Sequence, residues 1–332
     1  MRETNAVFVT WTPHHRATEI ARAVGGAIYE PNPGRTSWPA PIRYTLQSLQ
    51  TLFHVVRRRP SNVLFTNPPF VPGIVLLTVR WALRFEIWSD CHSGAFNDPR
   101  WARFSGINRW VMRRCAGVIV TNGRLAESVR MAGARPLVLN YPSSVFKTRK
   151  PAPDPYLVAT VGYMFDEPIQ ELLEAAKRVP QVRLFLTGDP PAEVRAHLPL
   201  NCTLTGWLPR AEYEKLLAGA RGVICLTRRE DTMQTGAYEG LEYALPLLLS
   251  GTQVLRDFFS QGVIFVDDHS PEALAHALQQ LWTEHERLSN EAVAERQVAL
   301  ARFQAEVQEL VEALEDSLPT RAAPPPGGEG EL

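Results

Sequence analysis

Two carboxylates, Asp231 and Glu239, stand eight residues apart within the segment Leu226–Leu249. The pattern of this segment predicts a strand, a polar loop, a helix that begins near Gly236 and a second strand. Main-chain N–H groups at the start of a helix bind anions. Glu239, about one turn inside the helix, could accept hydrogen bonds from vicinal hydroxyls of a sugar or ribose, with Asp231 flanking the same group. The alternative is an acid that only favours the helix dipole, followed by a solvated Glu.

A second pair of polar residues, Asp90 and His92, follows the predicted strand Phe85–Ser89. A carboxylate beside a histidine can set the tautomer of the imidazole or act as a general base. The alternative is that Asp90 and His92 only pair with each other within the loop and have no chemical role. His14 and His15 stand at the predicted start of the first helix, where the helix N-terminus and these basic side chains could hold an anion. Two surface histidines would give the same pattern.

Alternating strands and helices must position these residues. Short β-rich runs such as Ala6–Trp11 and Gly117–Thr121 are separated by helical segments such as Ile42–Arg58, which predicts a doubly wound parallel sheet. Three prolines in Thr148–Pro155 indicate a linker, and a second strand–helix alternation follows it. We therefore predict an α/β fold with two Rossmann-like, doubly wound parallel-sheet domains that face a cleft.

The distribution of charge indicates that the two domains have separate roles. Residues 1–150 carry 21 Lys and Arg against 7 Asp and Glu, whereas residues 151–332 carry 14 against 28. We predict a basic N-terminal domain over 1–150, an acidic C-terminal domain over 151–318 and a disordered, Pro/Gly-rich tail over 319–332. The basic domain is expected to attract an anionic partner, unless the two halves only attract each other across the cleft.

Composition excludes several classes of protein. The 332 residues are 45% hydrophobic and 21% charged, which excludes a collagen, a coiled coil and a wholly disordered chain. Four cysteines without a CxxC pair indicate neither a disulfide framework nor a cysteine-based zinc site. The N-terminus lacks a signal-peptide pattern, and the longest apolar run, Phe70–Val79, is shorter than the roughly 20 residues of a membrane span. We expect a cytoplasmic protein, with peripheral attachment to the inner membrane face as a further candidate location.

The segment Leu226–Leu249 is similar to the donor site of GT-B glycosyltransferases, chiefly the retaining nucleotide-sugar enzymes of glycosyltransferase family four. Their motif is a Glu, seven residues, a second Glu and a helix that leads to a Gly-x-Pro turn. Asp231 takes the first place, Glu239 the second, and Ala244-Leu245-Pro246 the turn. The resemblance implies that Glu239 holds the ribose of the nucleotide and that Asp231 contacts the sugar. It also implies that the loop between them, which contains Thr232, Met233 and Gln234, touches the sugar and the diphosphate.

Further positions resemble the same family, and one region departs from it. Gly162 resembles the family's glycine turn, and Gly206 lies in a segment similar to the loops near the nucleotide base. The family usually has an Arg just after the glycine and a Lys a few residues later, both on the pyrophosphate. This chain has Tyr163 and, near the Lys position, Asp166-Glu167. Since a diphosphate leaving group needs cations or aligned dipoles, Arg229 is the candidate replacement, with a surface arginine as the alternative.

These resemblances imply a glycosyltransferase that moves a sugar from a UDP- or GDP-linked donor to an acceptor hydroxyl in cell-surface polysaccharide or glycolipid synthesis. Asp90-x-His92 resembles a motif of related bacterial enzymes in which the histidine reaches the donor; if the enzyme inverts configuration, Asp90 is the candidate base. The family implies retention, no metal ion and no cofactor besides the nucleotide sugar. A lipid-linked or anionic glycan is the expected acceptor, an anionic membrane surface is a further candidate partner, and nucleic acid is not expected.

Two other classes of function stay open. A sugar-nucleotide epimerase or hydrolase of the GT-B fold would need acid–base pairs around the anomeric carbon, and its acceptor side would not need so basic a face. A non-catalytic GT-B protein that binds a sugar nucleotide would explain the missing Arg and Lys. Turnover of a nucleotide sugar that is lost in Asp90→Asn or Glu239→Ala would exclude this last class.

Overall fold

The computed structural model describes residues 5–12, 15–32, 38–140 and 146–317, and these fall into two units. Unit 1 takes the described residues of 1–120, 126–138 and 307–317, and unit 2 takes those of 121–125 and 139–306. This division differs from the predicted boundaries at 150 and 318. The predicted linker, Thr148–Pro155, lies within unit 2, where the N–H groups of Lys150 and Ala152 donate to the carbonyls of Ala218 and Gly219.

The last described residues return to unit 1. Asn62 Nδ2 donates to the carbonyl of Leu314 over 3.1 Å, and Ser317 Oγ lies 3.2 Å from Asn62 Oδ1. These bonds explain why residues 307–317 group with unit 1 and not with the predicted C-terminal domain. The predicted disordered tail, 319–332, lies outside the described residues.

One parallel sheet forms the centre of unit 1. Its strands are β1 (Ala6–Val9), β2 (Ala27–Tyr29), β3 (Asn62–Asn67), β4 (Glu86–Cys91), β5 (Gly117–Val120) and β6 (Pro136–Val138), in the spatial order β2-β1-β3-β4-β5-β6. The strands β1, β3 and β5 are buried throughout, as expected for a parallel sheet that helices cover on both faces. Sequence analysis missed β2, because this short edge strand is mostly exposed and has no apolar run.

The helices that accompany this sheet are α1 (His15–Ala23), α2 (Ala40–Arg58), α3 (Val71–Leu83), α4 (Gly94–Asn97), α5 (Pro99–Ala102), α6 (Ser105–Met112) and α7 (Gly123–Met131). Three of these helices, α4, α5 and α6, are short and lie between β4 and β5 in the chain. Asp98 begins α5 by accepting a hydrogen bond from the main chain of Arg100 over 2.8 Å. Phe104, whose ring lies 5.9 Å from that of Phe70, separates α5 from α6.

A second parallel sheet forms the centre of unit 2. Its strands are β7 (Leu157–Ala159), β8 (Leu184–Thr187), β9 (Cys202–Gly206), β10 (Gly222–Cys225), β11 (Leu247–Ser250) and β12 (Val263–Val266), in the spatial order β12-β11-β10-β7-β8-β9. The order reverses between β10 and β7, where Ile224 is aligned with Ala159. The predicted α/β architecture, with a parallel sheet in each half of the chain, is confirmed.

Helices cover both faces of the second sheet. They are α8 (Ile169–Arg178), α9 (Ala192–Ala196), α10 (Arg210–Gly219), α11 (Thr235–Glu242), α12 (Gln253–Phe258), α13 (Pro271–Thr283) and α14 (His285–Asp316). One buried cluster contains Leu172 of α8 and Leu278 of α13, and a second contains Leu217 of α10, Tyr238 of α11 and Leu255 of α12. Among the described helices, none combines the length and apolar character required to cross a membrane.

The turn after α11 contains a buried alanine in a left-handed conformation, Ala244, with φ +52°. Its N–H donates to the carbonyl of Leu241, and the N–H of Leu245 donates to that of Gly240. A left-handed backbone costs a residue with a Cβ about 1–2 kcal/mol, and glycine at this position would remove that cost. The greater conformational entropy of glycine in the unfolded chain offsets part of the resulting gain in stability. We expect Ala244→Gly to raise the free energy of unfolding by roughly 0.5–1 kcal/mol, measured by urea denaturation.

The matched control for this prediction is Ala237→Gly, because Ala237 is buried within the same helix. Glycine in a helix interior lowers stability by about 1 kcal/mol relative to alanine. The two substitutions should therefore move the free energy of unfolding in opposite directions. A loss of stability in both variants would contradict the assigned cost of the left-handed turn.

Candidate active site

A pocket of about 620 Å³ opens in unit 2 at the carboxyl ends of β7 and β10. Ligands of doubly wound sheets bind where the strand order reverses, and it reverses between these two strands. Thr160 and Val161 follow β7, Thr227 follows β10 soon after its end, and all three lie in the pocket wall. The loops after β8 and β9 add further wall residues. A pocket of this volume is typical of small-molecule and cofactor sites.

The loop before α11 forms one side of the pocket. Thr232, Met233 and Gln234, all singled out from the sequence, lie in the wall. Gln234 Nε2 donates to the carbonyl of Leu226 over 3.0 Å, which ties the loop to the end of β10. The side chain of the N-cap residue, Gln234, makes no capping hydrogen bond to the start of α11. The first N–H groups of this helix, at Thr235 and Gly236 in the pocket wall, are therefore suited to bind an anion.

Gly236 allows α11 to approach β7 closely. A Cβ at this position would lie 2.0 Å from Thr160 Oγ1 and 3.0 Å from Cys225 Sγ. The first distance is far shorter than a non-bonded contact permits and the second is tight, so a larger residue would push the helix away from the strand. Gly236 thus fixes where the N-terminus of α11 meets the pocket.

Glu239 presents a buried carboxylate to the same pocket, with 6% of the residue exposed. Arg210 Nη1 donates to Oε1 over 2.6 Å, and Tyr213 Oη donates to Oε2 over 2.7 Å. Burial lowers the pKa of Arg210, but its bonds to Glu239 and Glu214 outweigh this effect and raise it. Burial, followed by the charge of Glu239, holds the pKa of Tyr213 well above its ordinary value. Both donors are missing from the sequence prediction.

Asp231 is placed differently from Glu239. It precedes the wall residues of the loop and is not itself part of the pocket wall in the described structure. Its main-chain oxygen accepts a hydrogen bond from Asn122 Nδ2 over 3.0 Å, and the residue is partly exposed. The two carboxylates of the sequence motif therefore do not line this pocket together, and the predicted contact of Asp231 with a sugar stays a prediction.

The glycine loop after β7 binds a carboxylate of its own chain. The N–H groups of Gly162 and Met164 each donate a hydrogen bond of 3.0 Å to Glu167 Oε2. Burial raises the pKa of Glu167 although these main-chain bonds stabilise its charge. Tyr163 has φ +54°, and burial with the charge of Glu167 raises its pKa to about 12. Gly162 and Tyr163 lie beside the pocket, whereas Val161 and Met164 form its wall.

One of two neighbouring arginines lies in the pocket wall. Arg229 Nε is 3.5 Å from Asp166 Oδ1, and its guanidinium lies 4.8 Å from the centre of the Phe165 ring. Arg228 instead pairs with Glu171 over 2.5 Å and is not in the wall. Gly206, at the end of β9, has φ +67° and leads to Trp207, which is in the wall and largely exposed. Arg229 is thus the arginine of this pair that can meet an anion in the pocket.

The second predicted constellation lies in unit 1 and is built on a buried ion pair. Asp90, at 0% exposure, accepts hydrogen bonds from Arg16 Nε over 3.1 and 3.3 Å and lies 3.1 Å from Arg16 Nη2. His92 Nε2 is 3.3 Å from Asp90 Oδ2. Burial alone would raise the pKa of Asp90, but Arg16 and His92 outweigh it and hold the pKa at about 2. Asp90 is therefore an ionised group that orients His92 and is a weak general base.

Arg16 is the residue of this constellation that sequence analysis missed. It stands next to the two histidines, and a cation on a helix after the first strand gives no signal that it will be buried. His15 is exposed, and its Nδ1 lies 3.8 Å from Glu19 Oε1 in the next turn of α1. His14 lies outside the described residues. The predicted acceptor or phosphate role of these two histidines stays a prediction.

Within residues 5–12, 15–32, 38–140 and 146–317, no three His, Cys, Asp or Glu side chains are grouped as metal ligands. The predicted independence of a metal ion stays a prediction.

Residues 155–284 match the model of the family Glycosyl transferases group 1. Anabaena HepE, solved in complex with UDP and glucose, is similar over 95% of this chain and 100% of its own, with a TM-score of 0.70 and 14% identity. The apo form of the lipopolysaccharide outer core galactosyltransferase WaaB is similar over 94% of this chain and 99% of its own, with a TM-score of 0.62 and 12% identity. No curated protein sequence matches this chain.

The same fold occurs in a putative UDP-N-acetylglucosamine 2-epimerase from Listeria monocytogenes, with a TM-score of 0.59 and 12% identity over 92% of this chain and 97% of that one. At such identities the structural likeness establishes the GT-B fold alone. The family match covers the segment that carries the pocket and Glu239. The comparisons therefore show a chain with the GT-B fold in which residues 155–284 match a family of glycosyl transferases.

Proposed function

We propose that the pocket of unit 2 binds a UDP- or GDP-linked sugar, with UDP the first choice, and that the sugar is transferred to a glycan or glycolipid hydroxyl. The buried carboxylate of Glu239 carries this proposal. Each of its oxygens accepts a hydrogen bond from Arg210 or Tyr213 and keeps capacity for a further donor. Such a carboxylate suits the two hydroxyls of a ribose. The UDP and glucose bound by HepE support uridine as the nucleoside.

The leaving diphosphate would be stabilised by two features of the pocket wall. The uncapped N-terminus of α11 offers aligned N–H groups, and Arg229 adds a cation. Dipoles and cations of this kind stabilise charge that develops during group transfer. This support leads us to propose a transfer that needs no metal ion. Asp90 is fully buried, lies 3.1 Å from Arg16 Nη2 and has a pKa of about 2, so it is poorly suited to be the base of an inverting mechanism. We propose retention of configuration as the alternative.

A thermal-shift screen with UDP, GDP, ADP and their common sugars, with and without EDTA, tests the donor proposal. Ligand at 100 times its dissociation constant should add about 2.7 kcal/mol of apparent stability. We expect UDP and a UDP-sugar to raise the melting temperature equally in both conditions. A shift that EDTA abolishes would contradict independence of metal, and no shift with any nucleotide would overturn the donor proposal.

Product analysis separates the remaining classes of activity. A transferase releases UDP from the selected UDP-sugar only when a glycan or lipid-linked acceptor extract is present. Release of UDP with free or epimerised sugar in the absence of acceptor would instead assign the hydrolase or epimerase class. Binding of the nucleotide sugar without any turnover across acceptor extracts would assign the non-catalytic class.

We also propose that unit 1 meets an anionic membrane surface through α2. This helix exposes the apolar side chains of Ile42, Leu49, Phe53 and Val56 at spacings that recur on one face. Its last turn carries Arg57 and Arg58. Exposed apolar residues beside arginines are the pattern of helices that lie in a membrane interface, and the excess of basic residues in 1–150 agrees with an anionic surface.

Flotation with liposomes tests this membrane proposal. The protein should float with vesicles that contain phosphatidylglycerol at low salt, and less so at high salt, because salt screens the arginines. Phe53→Ser should reduce flotation, since Phe53 is 69% exposed and the change should leave the fold intact. Val298→Ser, at an exposed position of α14 in unit 2, is the control. Equal flotation of both variants, or none for the unaltered protein, would contradict the proposal.

A further inference from the structure

Two donors on one helix hold the carboxylate of Glu239. Arg210 and Tyr213 belong to the first turn of α10 and stand three residues apart, so they lie on the same helical face. Arg210 reaches Oε1 and Tyr213 reaches Oε2, at 2.6 and 2.7 Å. Each oxygen therefore has its own donor, and the plane of the carboxylate is fixed from the side of α10.

Arg210 is itself fixed by charges outside the pocket wall. Its Nε donates to Glu214 Oε1 over 2.8 Å, and Lys147 Nζ lies 3.1 Å from the same oxygen. Lys147 Nζ also lies 2.6 Å from Glu242 Oε2. Alternating charges thus surround the guanidinium, which restricts its motion more than a single surface pair would.

The environment of Tyr213 makes it a dependable donor. The phenol is buried beside the carboxylate of Glu239, and burial followed by this neighbour raises the pKa of Tyr213 well above its ordinary value, so that its hydroxyl keeps its proton. Burial of Glu239 without a cation would be costly, and Arg210 supplies the cation. The geometry therefore gives Glu239 one orientation before any ligand arrives.

We propose that Arg210 and Tyr213 are positioning residues that preorganise Glu239 for the 2′- and 3′-hydroxyls of the donor ribose. This inference rests on the proposed function of the pocket. A carboxylate that is already oriented loses little conformational freedom on binding. The two α10 residues should therefore determine how strongly the pocket distinguishes a ribose diol from a sugar that lacks these hydroxyls.

Isothermal titration with UDP and 2′,3′-dideoxy-UDP tests this role. The unaltered protein should bind UDP roughly 100-fold more tightly than the dideoxy compound, since the latter lacks two hydrogen bonds to a charged group and each contributes about tenfold in affinity. Tyr213→Phe and Arg210→Met should each reduce this preference for UDP about threefold or more, mainly because the variants bind UDP more weakly. Arg210→Lys keeps the charge and should recover part of the preference. The affinity for dideoxy-UDP should stay nearly unchanged.

Tyr156→Phe is the matched control. Tyr156 Oη donates to the carbonyl of Leu216 over 3.0 Å, on the same helix α10, but Tyr156 is not in the pocket wall. The Tyr156→Phe substitution should lower the melting temperature without changing the preference for UDP over dideoxy-UDP. Equal weakening of both ligands in Tyr213→Phe and Arg210→Met would show a merely structural role and overturn the inference. So would equal binding of the two ligands by the unaltered protein, whereas binding of neither would overturn the proposed function as well.

Discussion

Glu239→Ala is expected to weaken the binding of UDP roughly 100-fold, because it removes two hydrogen bonds between hydroxyls and a charged group that are each worth about 1.5 kcal/mol or more. The substitution also leaves Arg210 and Tyr213 without their carboxylate partner. We therefore expect the free energy of unfolding to fall by about 1–3 kcal/mol as well. Titration calorimetry at fixed salt measures the first effect and urea denaturation the second.

Glu214→Ala separates loss of the ribose contact from loss of a partner for Arg210. Glu214 accepts a hydrogen bond from Arg210 Nε but is not part of the pocket wall. This control should change UDP affinity by no more than about threefold, since the contact of Arg210 with Glu239 remains. UDP affinity that is the same in Glu239→Ala as in the unaltered protein would exclude Glu239 as the ribose acceptor.

Breaking the buried ion pair of unit 1 should have the largest effect on stability. Arg16→Met leaves Asp90 buried without its cation, and Asp90→Asn leaves Arg16 at 2% exposure without its anion. Removal of one partner of a buried pair typically costs about 3–5 kcal/mol. Urea denaturation at neutral pH should show this loss for each variant. The double variant should lose less than the two single losses combined, because it buries no unpaired charge.

The pH dependence of stability gives an independent check on the same pair. The pKa of Asp90 is lowered from 3.8 to about 2 on folding, so its contribution of about 2 kcal/mol is fully present above the unfolded value. It is lost as the pH falls through 4 and towards the folded pKa of about 2. Asp90→Asn should therefore show a shallower loss of stability in acid. A parallel decline in both proteins would show that Asp90 is not stabilised in this way.

Arg22→Met is the control for the Arg16 variants. Arg22 pairs with Glu19 on the same helix α1, but its side chain is 64% exposed. Exposed pairs contribute about 0–1 kcal/mol because solvent screens them. A loss as large as that of Arg16→Met would indicate that the whole of α1 is sensitive to substitution, and not the buried pair.

Most of the fold follows from local patterns along the chain. Buried runs such as Asn62–Asn67 and Gly222–Cys225 are strands because parallel sheets covered on both faces bury continuous apolar segments. Such runs predicted the two sheets, and the helical segments between them predicted most of the helices. The exposed strand β2 escaped detection, since a short edge strand needs no apolar run. The described residues divide near 139 and 307 and not at the predicted boundary of 150, because prolines indicate a break in local structure and do not indicate where a segment packs.

The sequence by itself determined the parts of the site that one segment carries. The loop before α11 and Glu239 lie eight residues or fewer from Asp231, within one strand–loop–helix unit that resembles a family motif. Spacing alone left a solvated Glu as the alternative, and burial of the carboxylate came from the structure. Gly236 was recognised as a helix start, but its close approach to Thr160 depends on a strand more than seventy residues earlier.

Only the tertiary structure decided which groups meet across distant segments. Arg210 and Tyr213 reach Glu239 from α10, and Arg16 reaches Asp90 from α1, over sequence separations of 29, 26 and 74 residues. It also separated Asp231 from the pocket wall and bound Glu167 to the glycine loop. The physical reason is that charge pairing depends on distance in space and on burial, whereas a linear pattern records only the types of residue and their spacing along one element.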